Sequence, residues 1–203
     1  MDLEELLRRY RRGERDFIAI NLPDLLDVNL EGINLTRSNL RGCRLENVNL
    51  KNVNLSQVDL NGSEMSKVNL DKAKLFQADI SECKWIEVSL MGAKLMQSDL
   101  SFSFFDICNF EKADLSQSMT QEGAFLSSNF KQVNIQMSWF SMCGFQSINF
   151  ESATFDKLSL SENYFFNCNF QNAQGVNLAS FSGNTLQEVT LPNGKVVDKH
   201  IWE

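Results

Sequence analysis

The sequence is short of the residues on which most catalytic and metal sites depend. Its single histidine excludes most Ser-His-Asp chemistry and nearly all histidine-based metal sites. There are only 2 Pro and 2 Tyr, and no apolar run reaches the roughly 18 residues that span a bilayer. Basic residues number 19 against 26 acidic ones, giving a net charge of −7. We therefore expect no direct nucleic-acid partner and no membrane, since both favour a basic face.

Motifs for catalysis and export are absent as well. The chain has no P-loop, no GxGxxG and no HExxH pattern. Its first 20 residues carry charges every few positions, so no secretory signal is visible. We expect a non-catalytic protein that lies in the cytoplasm and uses no cofactor and no metal.

What the sequence has instead is a five-residue repeat. Every fifth residue from Leu25 to Phe170 is large and apolar, with Thr120 as the exception, and fifteen of these thirty residues are Leu and ten are Phe. A small or branched residue, such as Val48 or Val53, stands two places earlier. A period of five fits neither a helix nor a flat strand. It fits a chain that turns a corner every five residues, with these two positions inward and the other three in water.

A second period, of twenty, indicates that four such sides close one coil. Stepping by twenty from Asn29 to Asn169 gives Asn in seven of eight positions. Three further columns repeat with the same period. One is an amide series: Gln57, Gln77, Gln97, Gln117. The other two are mainly charged and alternate in sign, the first being Asp24, Arg44, Glu64, Lys84 and the second Glu31, Lys51, Asp71, Met91, Glu111, Lys131, Glu151. Coils stacked about 4.8 Å apart would align these residues, and amide ladders and opposite-charge pairs suit that distance. Seven and a half coils predict a rod roughly 36 Å long.

The rows VNLEG, INLTR, VNLKN, VNLSQ and VDLNG resemble the A(D/N)Lxx unit of the pentapeptide-repeat family. The ends ELLRRYRRGERDF and LPNGKV resemble cyanobacterial members in particular. The resemblance implies an all-β, right-handed quadrilateral parallel β-helix, in a group whose members mostly lack an assigned biochemical role. This chain departs from the family pattern by phase slips near Pro23 and after Gly175, and at Thr120.

The ends of the chain leave the repeat. Residues 1–13 predict a helical cap, with Asp2 as N-cap, one apolar face and Gly13 as the stop. Residues 14–184 form the β-helix, and residues 185–203 a C-terminal cap or tail. The tail predicts a hairpin turning at Pro192-Asn193-Gly194, which either caps the last coil or pairs two chains end to end.

All five cysteines fall in the small inward column, and they are Cys43, Cys83, Cys108, Cys143 and Cys168. They are interpreted as small core residues of a protein in a reducing compartment, because no two of them stack in adjacent coils and no CxxC is present.

Four outward positions carry large apolar residues where polar ones are expected: Phe102, Met119, Trp139 and Met142. They flank Leu100, Thr120 and Phe140 in successive coils, so we expect one interaction patch. The patch would serve an unidentified protein partner or self-association. The alternative is a bulge at residues 116–125 that turns Trp139 partly inward.

The column Asp59, Asp79, Asp99 suggests a cation or hydrolase site, but turn hydrogen bonding is the favoured interpretation. We expect a protein-interaction or scaffolding module. The family resemblance supplies one alternative, a DNA-mimic protein that regulates a type II topoisomerase (gyrase). The net charge disfavours DNA mimicry, because a 36 Å length of duplex carries on the order of twenty negative charges, whereas this chain has a net charge of −7.

Overall fold

A computed structural model describes residues 1–199 and shows a right-handed parallel β-helix of about eight turns. The one α-helix of these residues, α1, spans Leu3–Arg11. The strands are β1 (Leu25–Leu26), β2 (Arg44–Glu46), β3 (Glu64–Ser66), β4 (Lys84–Ile86), β5 (Phe104–Asp106), β6 (Met119–Gln121), β7 (Ala124–Leu126), β8 (Trp139–Ser141), β9 (Gly144–Gln146), β10 (Ser159–Ser161), β11 (Tyr164–Phe166), β12 (Thr185–Thr190) and β13 (Val196–Lys199).

Each coil has four faces, which we name in chain order. Face A carries β1–β5, β7, β9, β11 and β12. Face B carries the asparagine column from Asn29 to Asn169, and face C the column from Asn34 to Gln174. Face D carries the column Asn39, Asp59, Asp79, Asp99, Met119, Trp139, Ser159, which includes β6, β8 and β10.

The corners between faces explain why a five-residue row turns. Almost every row has a residue with positive φ two places after its large apolar residue, as at Asn47 (φ 54°) and Asn52 (φ 59°). The next row is then tied to the coils on both sides: Leu50 donates its backbone N–H to Asn69 in the coil above, and Asn49 donates to Val28 in the coil below. All the repeat's large apolar column is buried except Leu160, which is half-buried.

The twenty-residue register is confirmed by the pairs Arg44–Glu64–Lys84 in β2 to β4 and by an amide ladder. Gln57, Gln77 and Gln97 each donate Nε2 to Oε1 of the glutamine in the next coil, at 2.9–3.0 Å, and Gln117 is the last acceptor. The charged columns behave differently. Among residues 1–199 only Lys131 and Glu151 in those columns form an ion pair (3.0 Å), whereas Arg44 pairs with Glu46 of its own strand.

Both phase slips appear as coils of unusual length. Before Pro23 the bridges join Asp16 to Asn34 and Asn21 to Asn39, 18 residues apart. After Gly175 the register lengthens to 21, as β11 pairs with β12 through Tyr164 and Thr185. The coil therefore absorbs a deletion at its start and an insertion at its end.

The interior changes from aliphatic to aromatic along the rod. Leu45, Leu50 and Leu70 fill the lower coils, which we define as residues up to 100. In the upper coils, from residue 101, the rings of Phe105, Phe125, Phe145 and Phe165 stack at 5.0, 5.1 and 4.8 Å. A second stack contains Phe110, Phe130, Phe150 and Phe170. The more aromatic upper interior is as the sequence predicts.

The two ends are closed by different elements. In α1, Asp2 is the N-cap and its Oδ1 accepts the Glu5 backbone N–H at 2.8 Å, while Leu6 is fully buried. At the other end β12 pairs in parallel with β11 and antiparallel with β13, so the predicted hairpin forms. The single histidine, His200, lies outside the described residues. No helix of residues 1–199 is long and apolar enough to cross a membrane.

Thr120 does not produce the bulge considered for residues 116–125. β6 keeps full register with β8, pairing Met119 with Trp139 and Thr120 with Phe140. Thr120 is fully buried, and its Oγ1 accepts and donates no hydrogen bond. The coil tolerates the smaller polar residue in place, so Trp139 points outward.

Candidate functional site

The four patch residues lie on face D and on its corner with face A. Met119 and Trp139 are register partners in β6 and β8, and they are 44% and 39% exposed. Phe102 (53% exposed) and Met142 (44%) occupy the corner that follows face D. In this column of face D, Met119 and Trp139 replace the Asp residues of the lower coils.

The patch is less continuous than the sequence suggests. Phe102 donates its backbone N–H to Gln121, and Glu122 donates to Ser141, so successive coils bring Phe102, Glu122 and Met142 into one corner column. Glu122 therefore stands between the two apolar corner residues. The apolar centre of the site is the Met119–Trp139 pair.

A fifth apolar residue, Met137, belongs to the same surface and was missed by the sequence reasoning. It is 50% exposed at the corner between faces C and D, two residues before Trp139. It follows Gln117, the last member of the amide ladder, because Gln117 donates its backbone N–H to Gln136 in the next coil. The signal was available: the glutamine column ends one coil below Met137.

Three of these apolar residues adopt a backbone conformation that L-residues disfavour. Phe102, Met137 and Met142 have φ of 59°, 56° and 54°. The corner column of Phe102 and Met142 holds Gly42 and Gly62 in the lower coils, for which the left-handed region carries no Cβ penalty, whereas the column of Met137 holds glutamines there. Positive φ is common to nearly all corners of the coil, so the exposure of these apolar side chains, and not their backbone conformation, distinguishes this surface.

The lower half of face D is acidic. Asp59, Asp79 and Asp99 each use Oδ1 to accept the backbone N–H two residues later, at 2.9–3.0 Å. This hydrogen bond is the turn role favoured from the sequence. The three carboxylates lie in successive coils and their Cα atoms are register partners.

The cysteines are unsuited to chemistry. All five are free and buried, and burial raises the pKa of Cys83 and Cys143 to about 11 and of Cys108 and Cys168 to about 12. A thiol that stays protonated is a poor nucleophile and a poor metal ligand. Within the described part of the chain, no group of three or more His, Cys, Asp or Glu residues is placed to hold a metal ion.

The repeat and the coil geometry are matched by a known family. The model of pentapeptide repeats matches in eight copies, at residues 24–52 and 38–75. The chain is a pentapeptide-repeat protein. The cyanobacterial subtype stays a prediction. A search of curated proteins finds no match.

Solved structures of other pentapeptide-repeat proteins are similar to this one at low identity. HetL of the cyanobacterium Nostoc sp. strain PCC 7120, involved in heterocyst differentiation regulation, is 22% identical over 97% of this chain and 100% of its own, with a TM-score of 0.36. QnrB1, a plasmid-mediated fluoroquinolone resistance protein, is 18% identical over 83% and 92%, at 0.46. Rfr23 of the cyanobacterium Cyanothece 51142 is 19% identical over 68% and 95%, at 0.35.

Proposed function

We propose that this pentapeptide-repeat protein is a non-catalytic interaction module that binds a protein through the upper part of face D. The observation that carries the proposal is the Met119–Trp139 pair, exposed at positions where the coils below hold Asp. Large aromatic and Met side chains are enriched in the cores of protein interfaces. The exposed corner residues Phe102 and Met142 border the same surface.

The compartment we propose is the cytoplasm. Five unpaired thiols in one chain suit a reducing environment, because an oxidising one favours disulfides. Fractionation of host cells with an antibody against the protein tests this, and recovery in a membrane or exported fraction would contradict it.

The proposed interaction is tested by affinity capture from a host lysate with wild type and with the double variant Met119→Ser/Trp139→Ser. Serine fits this column, since Ser159 occupies it one coil above Trp139. Met91→Ser is the matched control, because Met91 is exposed on the corner between faces B and C. We expect the control to capture the same partner as wild type and the double variant to lose it. Equal capture by all three proteins would refute the proposal.

A second candidate is mimicry of DNA toward a topoisomerase, favoured only by the carboxylate column Asp59, Asp79, Asp99. Its density is low, because one column carboxylate every 4.8 Å compares with one duplex charge every ~1.7 Å. A gyrase supercoiling assay tests it. Potent inhibition by the purified protein would place this candidate first.

A further inference from the structure

Face D carries a charge pattern that identifies the chemistry of its partner. Between residues 56 and 142, face D and its two corners hold five carboxylates and no lysine or arginine. These carboxylates are Asp59, Asp79, Glu82, Asp99 and Glu122. None of them takes part in an ion pair found among residues 1–199. Within these coils face D and its corners therefore carry no counter-charge, whereas Arg37 and Arg41 lie one coil below. The acidic stretch borders directly on the Met119–Trp139 pair.

The spacing along face D limits the conformation of a ligand. The column Asp59, Asp79, Asp99, Met119, Trp139 advances one coil at a time, about 4.8 Å per step. Side chains on one side of an extended peptide repeat every ~6.7 Å, and this spacing does not match the coil spacing of face D. One stripe of an α-helix at i, i+3, i+7, i+10 and i+14 rises about 21 Å, against about 19 Å for the five positions on face D.

We propose that face D binds an amphipathic α-helix of a partner protein that lies parallel to the rod. Three Lys or Arg residues on its inner stripe face the Asp column, and large apolar residues on the next turns cover Met119 and Trp139. This inference rests on the proposed function and adds the chemistry and conformation of the partner. Charge complementarity selects this occupant, and pairing of face D with face D of a second copy is disfavoured because it would bring like charges together.

The test uses a synthetic, fluorescently labelled, alanine-based helical peptide as the probe. It carries Arg at i, i+3 and i+7 and Leu at i+10 and i+14. A control peptide has the same composition, with its Arg and Leu distributed around the helix. Anisotropy titrations with wild-type protein should show saturable binding of the striped peptide that weakens steeply with salt, and much weaker binding of the control.

Two protein variants separate the acidic half of the surface from the apolar half. Asp59→Asn/Asp79→Asn/Asp99→Asn keeps the turn hydrogen bond, because Asn49 makes the same bond to Lys51 on face B. We expect it to weaken binding about tenfold and to flatten the salt dependence. Its control, Glu111→Gln/Asp114→Asn/Glu151→Gln, removes three charges elsewhere and should bind as wild type. Met119→Ser/Trp139→Ser should lose the apolar contribution and keep the salt dependence.

Four outcomes overturn the inference. Equal binding of both peptides, or equal losses in the two charge variants, would show that general acidity attracts the probe. A wild-type dimer that becomes monomeric with Met119→Ser/Trp139→Ser in sedimentation would make a second copy the occupant. Failure of the striped peptide to bind, while the serine variant still loses its host partner, would leave the proposed function standing without a helical basic ligand.

Discussion

The lower and upper coils share one backbone and differ in what fills and covers it. In the lower coils the interior is leucine, as at Leu45 and Leu50, and face D carries Asp79, which is half-buried. In the upper coils the interior is stacked phenylalanine, and face D shows Met119 and Trp139. The register of twenty residues is the same in both. Inward columns thus specify the coil, and outward columns are free to carry function.

The sharpest test of the comparison removes one inward residue from each half. Phe150 and Leu50 occupy the same column of face B, but only Phe150 lies in a ring stack, 5.3 Å from Phe130 and 4.7 Å from Phe170. Phe150→Ala should lower the free energy of unfolding by about 3–5 kcal/mol, and Leu50→Ala by less within its range of about 2–5 kcal/mol. Urea denaturation measures both. An unchanged midpoint for Phe150→Ala would contradict an inward ring.

Glycines at corners of the two halves differ in how closely the chain approaches them. Gly175 has φ of 76°, and a Cβ there would lie 2.3 Å from Asp156 Oδ1 and 2.7 Å from the Asp156 backbone nitrogen. Gly62 has φ of 69°, and a Cβ there would have no neighbouring atom within 4 Å. Gly175→Ala should cost about 2–3 kcal/mol and Gly62→Ala about 1 kcal/mol. Equal losses of unfolding free energy in denaturation experiments would mean that the close approach of Asp156 adds nothing to the cost of backbone strain.

The thiols predict a loss of stability at high pH. Burial raises the pKa of Cys168 from 9.0 to about 12, so in the folded protein it stays protonated while the unfolded thiol ionises. Its stabilising contribution is complete below pH 9 and falls by about 1.4 kcal/mol per pH unit as the pH rises toward the folded pKa. Cys168→Ser should flatten the dependence of unfolding free energy on pH between 9 and 11 and leave it unchanged near pH 7. An equal change in unfolding free energy at all pH values would show that ionisation of Cys168 does not contribute to the pH dependence.

The smallest expected effect concerns the outward corner column. Phe102→Asn replaces an exposed aromatic ring at φ 59° with a residue that tolerates the left-handed region. We expect a gain of about 0.5–1 kcal/mol in unfolding free energy, because the corner strain is relieved. Thermal denaturation checks it. A loss of stability would show that Phe102 packs on the coil and is retained for folding.

Much of the fold could be predicted from the sequence, because inward positions repeat under one constraint. The inward column that contains Leu50 and Phe150, the amide ladder through Gln77 and the slip at Pro23 all follow from spacing alone. The charged columns did not become ladders, because a long side chain such as Arg44 reaches Glu46 as easily as Glu64. A flexible surface side chain can form ion pairs of similar energy with several neighbours, so the spacing in the sequence does not predict which pair forms.

The candidate site was predicted less completely. Phe102, Met119, Trp139 and Met142 are exposed, but their continuity required knowing which residue lies between them, and Glu122 does. Met137 was not predicted, although the glutamine column ends one coil below it. The bulge suggested by Thr120 was wrong, because hydrogen bonds to the coils on both sides hold the row even when one inward side chain is small and polar.

The reversed direction of β13 has a consequence for solubility. Nine strands of the long sheet run in parallel, and such a stack could in principle recruit further chains rung by rung. β13 runs against β12 in a register that shifts between Leu186 and Val189, so an arriving strand meets a template that no longer matches the winding. The hairpin therefore disfavours end-to-end extension of the parallel sheet from one molecule into the next.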